Sequence, residues 1–212
     1  NERVSRMLRT RAIRGVIVAP LPESRGEVAF DWAPFASAAL GHSLVRPVLN
    51  RAVNHQYHAI ALALREIERL GYGRVGLSVS DWFNARADYN WSAGYLVWQQ
   101  RLPRRARLPI HTGDSWGEAS FAIWVRRHAP EVVIGSGTHP LDWLRNMGLE
   151  VPGETGYANL DVQADEAETS GIVQNSTQVG AAAVDLVIEQ LVRGERGVPP
   201  VHKTVLIEGD WR

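Results

Sequence analysis

The chain has 212 residues, 45% of them hydrophobic, with 23 basic and 23 acidic side chains and no cysteine. This composition excludes a disordered chain, a disulfide framework and thiol chemistry. The zero net charge gives no electrostatic reason to expect a nucleic-acid-binding face in this stretch itself. No apolar run is long enough to span a bilayer, and the N-terminal "NERVSRMLRTR" lacks an apolar signal core. A length of this order suits one large domain or two small lobes.

Taken in chain order, "RGVIVAP" (Arg14 to Pro20) is a continuous apolar run ended by proline, the pattern of a buried parallel strand. After "VNHQ", Ile60, Leu64, Ile67 and Leu70 recur at helical spacing, and Gly71 supplies a left-handed stop. "RVGLSVS" is the next strand and "WSAGYLVWQQRL" the next helix, broken at Leu102-Pro103. The basic cluster "RLPRRARLP" (101–109) lies between prolines and reads as a solvated loop. In "DSWGEASFAIWVRRHAP", Ser115 and Glu118 stand at capping-box spacing, which predicts a helix from Trp116. "EVVIG" is a strand, and "THPLDWLRNMG" is a helix capped by Thr138 and stopped by Gly148. "GYANLD" and "GIVQNS" are strands, "TQVGAAAVDLVIEQLVRG" is the longest helix, and "KTVLIEG" is the last strand. Alternating strands and helices define an α/β class with parallel sheets. Periodicity alone does not choose between one doubly wound sheet and two.

The chemistry-bearing motifs are few. "GYGRVG" fits G-x-G-x-x-G by letter, but here a helix ends at Gly71 and a strand begins, the reverse of a dinucleotide site. "GSGTHP" puts Ser136 near His139 and Asp142, but Ile134 and Thr138 occupy the glycine positions of a nucleophile elbow. His55 and His58 share a helix face at i, i+3 with no carboxylate or third histidine at ligand spacing, so no metal site is expected. Asp165, Glu166 and Glu168 read as a solvated polar loop. Of the eight tryptophans, Trp98, Trp124 and Trp143 fall at apolar helical spacing and are assigned to cores. Trp82, Trp91 and Trp116 instead lie on the strand-to-helix side of βα units, where open α/β sheets bind ligands.

Five segments, in order, then resemble the lactose-repressor/galactose-repressor family of bacterial transcription regulators. "ALREIERLGYGRVGL" resembles the family's "L…GHxxI", "WSAGYLVW" its "RxxGF", and "TGDSWGEASF" its "GDW" stretch. "GLEVPGETGYANLD" is similar to "GLxVPxDxxVxGFDD", and "IVQNSTQVGAAAVDLVIEQL" to "VxQxxxxxGxxAxxxL". The resemblance implies a two-lobed fold of the periplasmic-binding-protein type with an incomplete N-terminal lobe. That lobe would comprise residues 1–51 and 174–198, and the C-terminal lobe residues 52–173 and 199–212. It further implies a sugar or other small effector bound in a cleft, a homodimer, operator DNA contacted through an upstream helix-turn-helix head, a cytoplasmic location and no cofactor.

Residue by residue, the resemblance places Trp116 on the ligand and Asp161 as a hydrogen-bond acceptor. It puts Gln174 on a crossover strand and Asn54 where the family often has an aspartate. The ligand-gripping arginine that opens "RxxG" is Trp91 here, leaving Arg86, five residues earlier, to replace it. Trp82 joins as a further ring, and Thr138 and His139 stand where the family has "ND". "NERVSRMLRTRAIRGVIV" matches the second helix and following strand of the N-terminal lobe. The parent protein is therefore expected to continue upstream, and the lobe to have an unpaired sheet edge. Two competing readings are a transport-type solute-binding protein of the same fold and an α/β enzyme; no nucleophile–base pair supports the latter.

Overall fold

The computed structural model describes residues 2–163 and 169–212, so the acids Asp165, Glu166 and Glu168 lie outside the described residues. The chain forms two units, Asn1–Asn54 with Asn175–Ile207, and His55–Gln174 with Glu208–Arg212.

In the first unit, α1 (Glu2–Thr10) leads into β1 (Gly15–Val18), β2 (Gly26–Glu27), β3 (Ala36–Leu40), β4 (Leu44–Arg46) and β5 (Asn50–Asn54). Late in the chain, α7 (Ser176–Arg193) and β10 (Thr204–Ile207) complete it. β1, β3, β5 and β10 make one parallel sheet in that order, and β2 pairs with β4. α7 packs on this sheet because Ala36, Ala38 and Ala52 present small side chains to Val179, Ala183, Leu186 and Val187. Gln190, buried on α7, grips the middle of β3. Its Nε2 donates to the Ser37 carbonyl at 3.0 Å and its Oε1 accepts the Ser37 N–H at 3.1 Å. Gly194 ends α7 at φ 70°, a left-handed stop.

Two expectations change in this unit. Among the described residues β1 pairs on one side only, with β3, and its residues are half-buried or exposed rather than buried. A continuous apolar run is common to central and edge strands, so the pattern cannot distinguish them. The second change concerns 199–212: its strand β10 pairs with β5 of the first unit, and only Glu208–Arg212 lie in the second.

The second unit is built on a parallel sheet of β6 (Val75–Ser78), β7 (Val132–Gly135) and β8 (Gly156–Asn159) in that order. Period-2 alternation sends neighbouring side chains to opposite faces. Val132 and Ile134 join the core beneath α2 (Gln56–Arg69) and α4 (Asn90–Gln99). Val133 joins the core beneath α5 (Glu118–His128) and α6 (His139–Asn146). Both faces are thus covered, as continuous apolar parallel strands require. The short helix α3 (Asp81–Arg86) follows β6, and β9 (Ile172–Val173) pairs antiparallel with β11 (Asp210–Trp211).

α5 starts two residues later than expected. Gly117 is its N-cap, and Ser120, not Glu118, answers from the third helical position by accepting the Gly117 N–H at 3.2 Å. Thr138 does precede α6, without a side-chain capping bond. No helix among the described residues is long and apolar enough to cross a membrane.

Candidate functional site

Parallel pairing brings the C-terminal ends of β6, β7 and β8 to one edge of the second unit's sheet, at Ser78, Gly135 and Asn159. The segments leaving that edge carry Trp82 and Arg86 on α3, Thr138 and His139 at the start of α6, and Asp161 just beyond β8. Such an edge is where open α/β sheets present ligand-binding groups, because the loops there are free to vary on a fixed frame.

Trp116 sits at the centre of an aromatic cluster on this edge. Its ring stacks near those of His111 (6.4 Å between centroids) and His139 (6.3 Å), and meets Trp143 edge-on at 4.7 Å. The cause is local: Ser78 bridges in parallel to His111, extending the sheet by one residue and delivering the loop that holds Trp116. The Trp116 indole N–H donates to Ser78 Oγ at 3.2 Å. Ser78 Oγ lies 2.9 Å from His111 Nδ1, and His111 Nε2 lies 3.0 Å from Ser120 Oγ. One neutral tautomer satisfies this chain, with Ser78 donating to Nδ1 and Nε2–H donating to Ser120. Burial pushes His111 down from 6.5 to about 4, which keeps it neutral at physiological pH.

The Ser78–His111 distance is that of a nucleophile and its base, but the surroundings do not fit a hydrolase. Ser78 is fully buried, and the second histidine nitrogen faces the Ser120 hydroxyl rather than a carboxylate. The pair instead fixes the plane of Trp116.

The remaining loops are held to one another by side chains that the sequence does not single out. Asn159 Oδ1 accepts from the Gly137 N–H at 3.1 Å and the Asp161 N–H at 3.0 Å, tying the Thr138–His139 loop to the Asp161 loop. Tyr157 Oη donates to the Gly137 carbonyl. Thr112 Oγ1 donates to Asp81 at 2.8 Å and so links the Trp116 loop to the start of α3. On α3 the Arg86 guanidinium lies 4.5 Å over the exposed Trp82 ring, a cation–π pair.

Other expected site residues are placed differently. Trp91 is 4% exposed, inside the core beneath α2, and its indole N–H donates to Gln56 Oε1 at 2.8 Å. Gln174, also buried, donates to the same Gln56 oxygen at 3.3 Å and to the Leu160 carbonyl. Gln56 Oε1 therefore joins Trp91 to Gln174. Asn54 ends β5 of the first unit. Trp143, assigned to the core by its spacing, is half-buried and joins the Trp116 cluster; its position four residues after His139 on α6 is the signal that could have found it.

The two units have the α/β fold of the periplasmic-binding-protein-like class. The chain has the fold of LacI-family transcriptional regulators. A LacI transcriptional regulator from a Rhodococcus species superposes with TM-score 0.69 at 16% identity, over 97% of this chain and 78% of that one. A LacI-family regulator from Enterococcus faecium with bound ribose gives TM-score 0.63 at 13% identity, over 97% and 80%. The transcriptional regulator CelR in complex with cellobiose gives TM-score 0.64 at 12% identity, over 99% and 68%. The sequence matches no protein-family model and no curated protein.

Proposed function

We propose that this chain is the effector-binding portion of a bacterial transcriptional regulator and that its ligand is a sugar or a similarly polar small molecule. The observation that carries this reading is Trp116, held by Ser78 at the C-terminal edge of a parallel sheet and flanked by His139 and Trp143. An indole face fixed in this way suits the apolar C–H face of a pyranose or furanose ring, while Asp161, Thr138, His139 and Arg86 offer acceptors and donors for hydroxyls. Trp82 widens the apolar wall. Trp91 and Gln174 are tied together through Gln56 within the second unit. The chemistry is binding alone. Its regulatory effect equals the differential affinity of the ligand for two conformations, which a homodimeric parent would pass to DNA-binding heads encoded upstream. A cytoplasmic location follows from that role. The ribose- and cellobiose-bound regulators that share the fold support a sugar.

A thermal-shift panel of sugars, nucleosides and small organic acids tests the reading. A ligand at a hundredfold excess over its dissociation constant adds about 2.7 kcal/mol of stability. At least one compound is expected to raise the midpoint in the wild type, and Trp116→Ala should abolish the shift. No shift from any compound would overturn the assignment. A signal peptide in the parent gene would favour the transport-type alternative.

A further inference from the structure

The parallel register of β5 and β10 runs from Arg51 opposite Thr204 to Asn54 opposite Ile207. The next residue on each strand is therefore delivered beside the other: His55 and Glu208, which are 153 positions apart in sequence. His55 is the N-cap of α2 and His58 lies one turn on, on the same face. The carboxylate that sequence spacing fails to supply thus arrives by strand pairing. Glu208 Oε1 stands 3.8 Å from His55 Nδ1 and 3.7 Å from His58 Nδ1. One ligand atom from each of the three residues falls within 4.8 Å of the others.

These separations are too long for charge-assisted hydrogen bonds, which close to about 2.7–2.9 Å. They are close to the spacing of ligands that share one ion. With metal–ligand bonds of about 2.0–2.2 Å, tetrahedral neighbours stand about 3.4 Å apart, so each carboxylate–imidazole edge needs to shorten by only a few tenths of an ångström. The histidine side chains are 31% and 27% exposed and that of Glu208 is 65% exposed. The cluster is therefore reachable from solvent yet partly held by its surroundings. The N-terminus of α2 opposes a cation, and the carboxylate of Glu208 offsets it.

We infer that His55, His58 and Glu208 form a binding site for a divalent transition-metal ion of the zinc, nickel, cobalt or copper type. Two imidazole nitrogens and one carboxylate select these ions over magnesium and calcium, which take oxygen ligands, and leave the remaining coordination positions to water. His55 and Glu208 are the first residues of the second unit after two of the three points where the chain passes between units. A bound ion fastens those two segments to one another. This site shares no residue with the Trp116 cluster.

The test uses the untagged chain, stripped with chelator. It is titrated with Zn2+ by calorimetry and with Co2+ by visible absorption, which intensifies when cobalt leaves its octahedral water shell. A single saturable site is expected. Loss of a direct ligand costs at least as much as loss of an outer-shell partner, so His55→Ala, His58→Ala and Glu208→Gln should each weaken binding by more than about tenfold. His202→Ala, an exposed histidine outside the cluster, should leave binding unchanged. Circular-dichroism melts without metal show whether each variant folds, and the isosteric Glu208→Gln carries the comparison if a histidine variant does not. No saturable binding by the wild type, or equal binding by a folded Glu208→Gln or by the His55→Ala/His58→Ala double variant, overturns the proposal.

Discussion

Gly94 allows α4 to approach α2 closely enough to bury Trp91, Tyr95 and Trp98 against Ile60, Ala63 and Leu64. A Cβ added at Gly94 would lie 2.4 Å from Ile60 Cγ2, about 1 Å inside ordinary van der Waals contact, and 3.5 Å from Tyr57. Overpacking of this kind costs about 1–3 kcal/mol. The helix-propensity gain of alanine over glycine offsets about 1 kcal/mol of that. Gly94→Ala should therefore destabilise the second unit by up to about 2 kcal/mol, a fall of about 2–4 °C per kcal/mol in a chain of this size. Ile60→Ala alone should cost about 2–5 kcal/mol through the cavity it leaves. In that background the clash is gone, and Gly94→Ala should become neutral or stabilising by up to about 1 kcal/mol. Denaturant titration followed by tryptophan fluorescence reads this unit well, because every tryptophan except Trp32 lies in it. Equal effects of Gly94→Ala in both backgrounds, with coupling below about 0.5 kcal/mol, would refute the packing argument.

Other outcomes follow from the Trp116 network. His111 is held neutral by burial, with its value near 4 in the fold against 6.5 in an open chain. The unfolded state therefore binds the extra proton first. This contribution is fully present above about pH 6.5 and is lost as pH falls toward about 4, amounting to no more than about 3 kcal/mol. Denaturation midpoints from pH 8 to pH 4 should fall more steeply for the wild type than for His111→Gln; parallel curves would contradict the assignment. Ser120→Ala removes the acceptor of the Gly117 N–H and the partner of His111 Nε2. It should cost about 1–2 kcal/mol by thermal melt and increase amide exchange at the first turn of α5.

Much of the fold was legible because it depends on neighbours in sequence. The i, i+4 and i+7 recurrence of Ile60, Leu64 and Ile67, and the left-handed stops at Gly71, Gly148 and Gly194, determine α2, α6 and α7 without reference to the rest of the chain. The α5 boundary was read two residues early. Ser120 is chosen as the capping partner by Gly117 and by His111, and the latter reaches it only through the bridge to Ser78. The candidate site divides in the same way. Trp82 and Trp116 were legible as strand-to-helix residues, since parallel strands put all such segments at one edge, whereas Thr138, His139 and Asp161 were named only through the family resemblance. The burial of Trp91, the tie made by Asn159 and the joining role of Gln56 were not legible, because each rests on a contact with a distant segment.

The sequence by itself determined the α/β class, the helices and their stops, and the end of the sheet that carries the polar and aromatic loops, all consequences of short-range periodicity and chain direction. Only the tertiary structure decided the strand order β1-β3-β5-β10, the exposure of β1 at its edge and the meeting of His55 with Glu208. Pairing between strands selects among registers by the packing of whole faces, and local spacing holds no record of that choice.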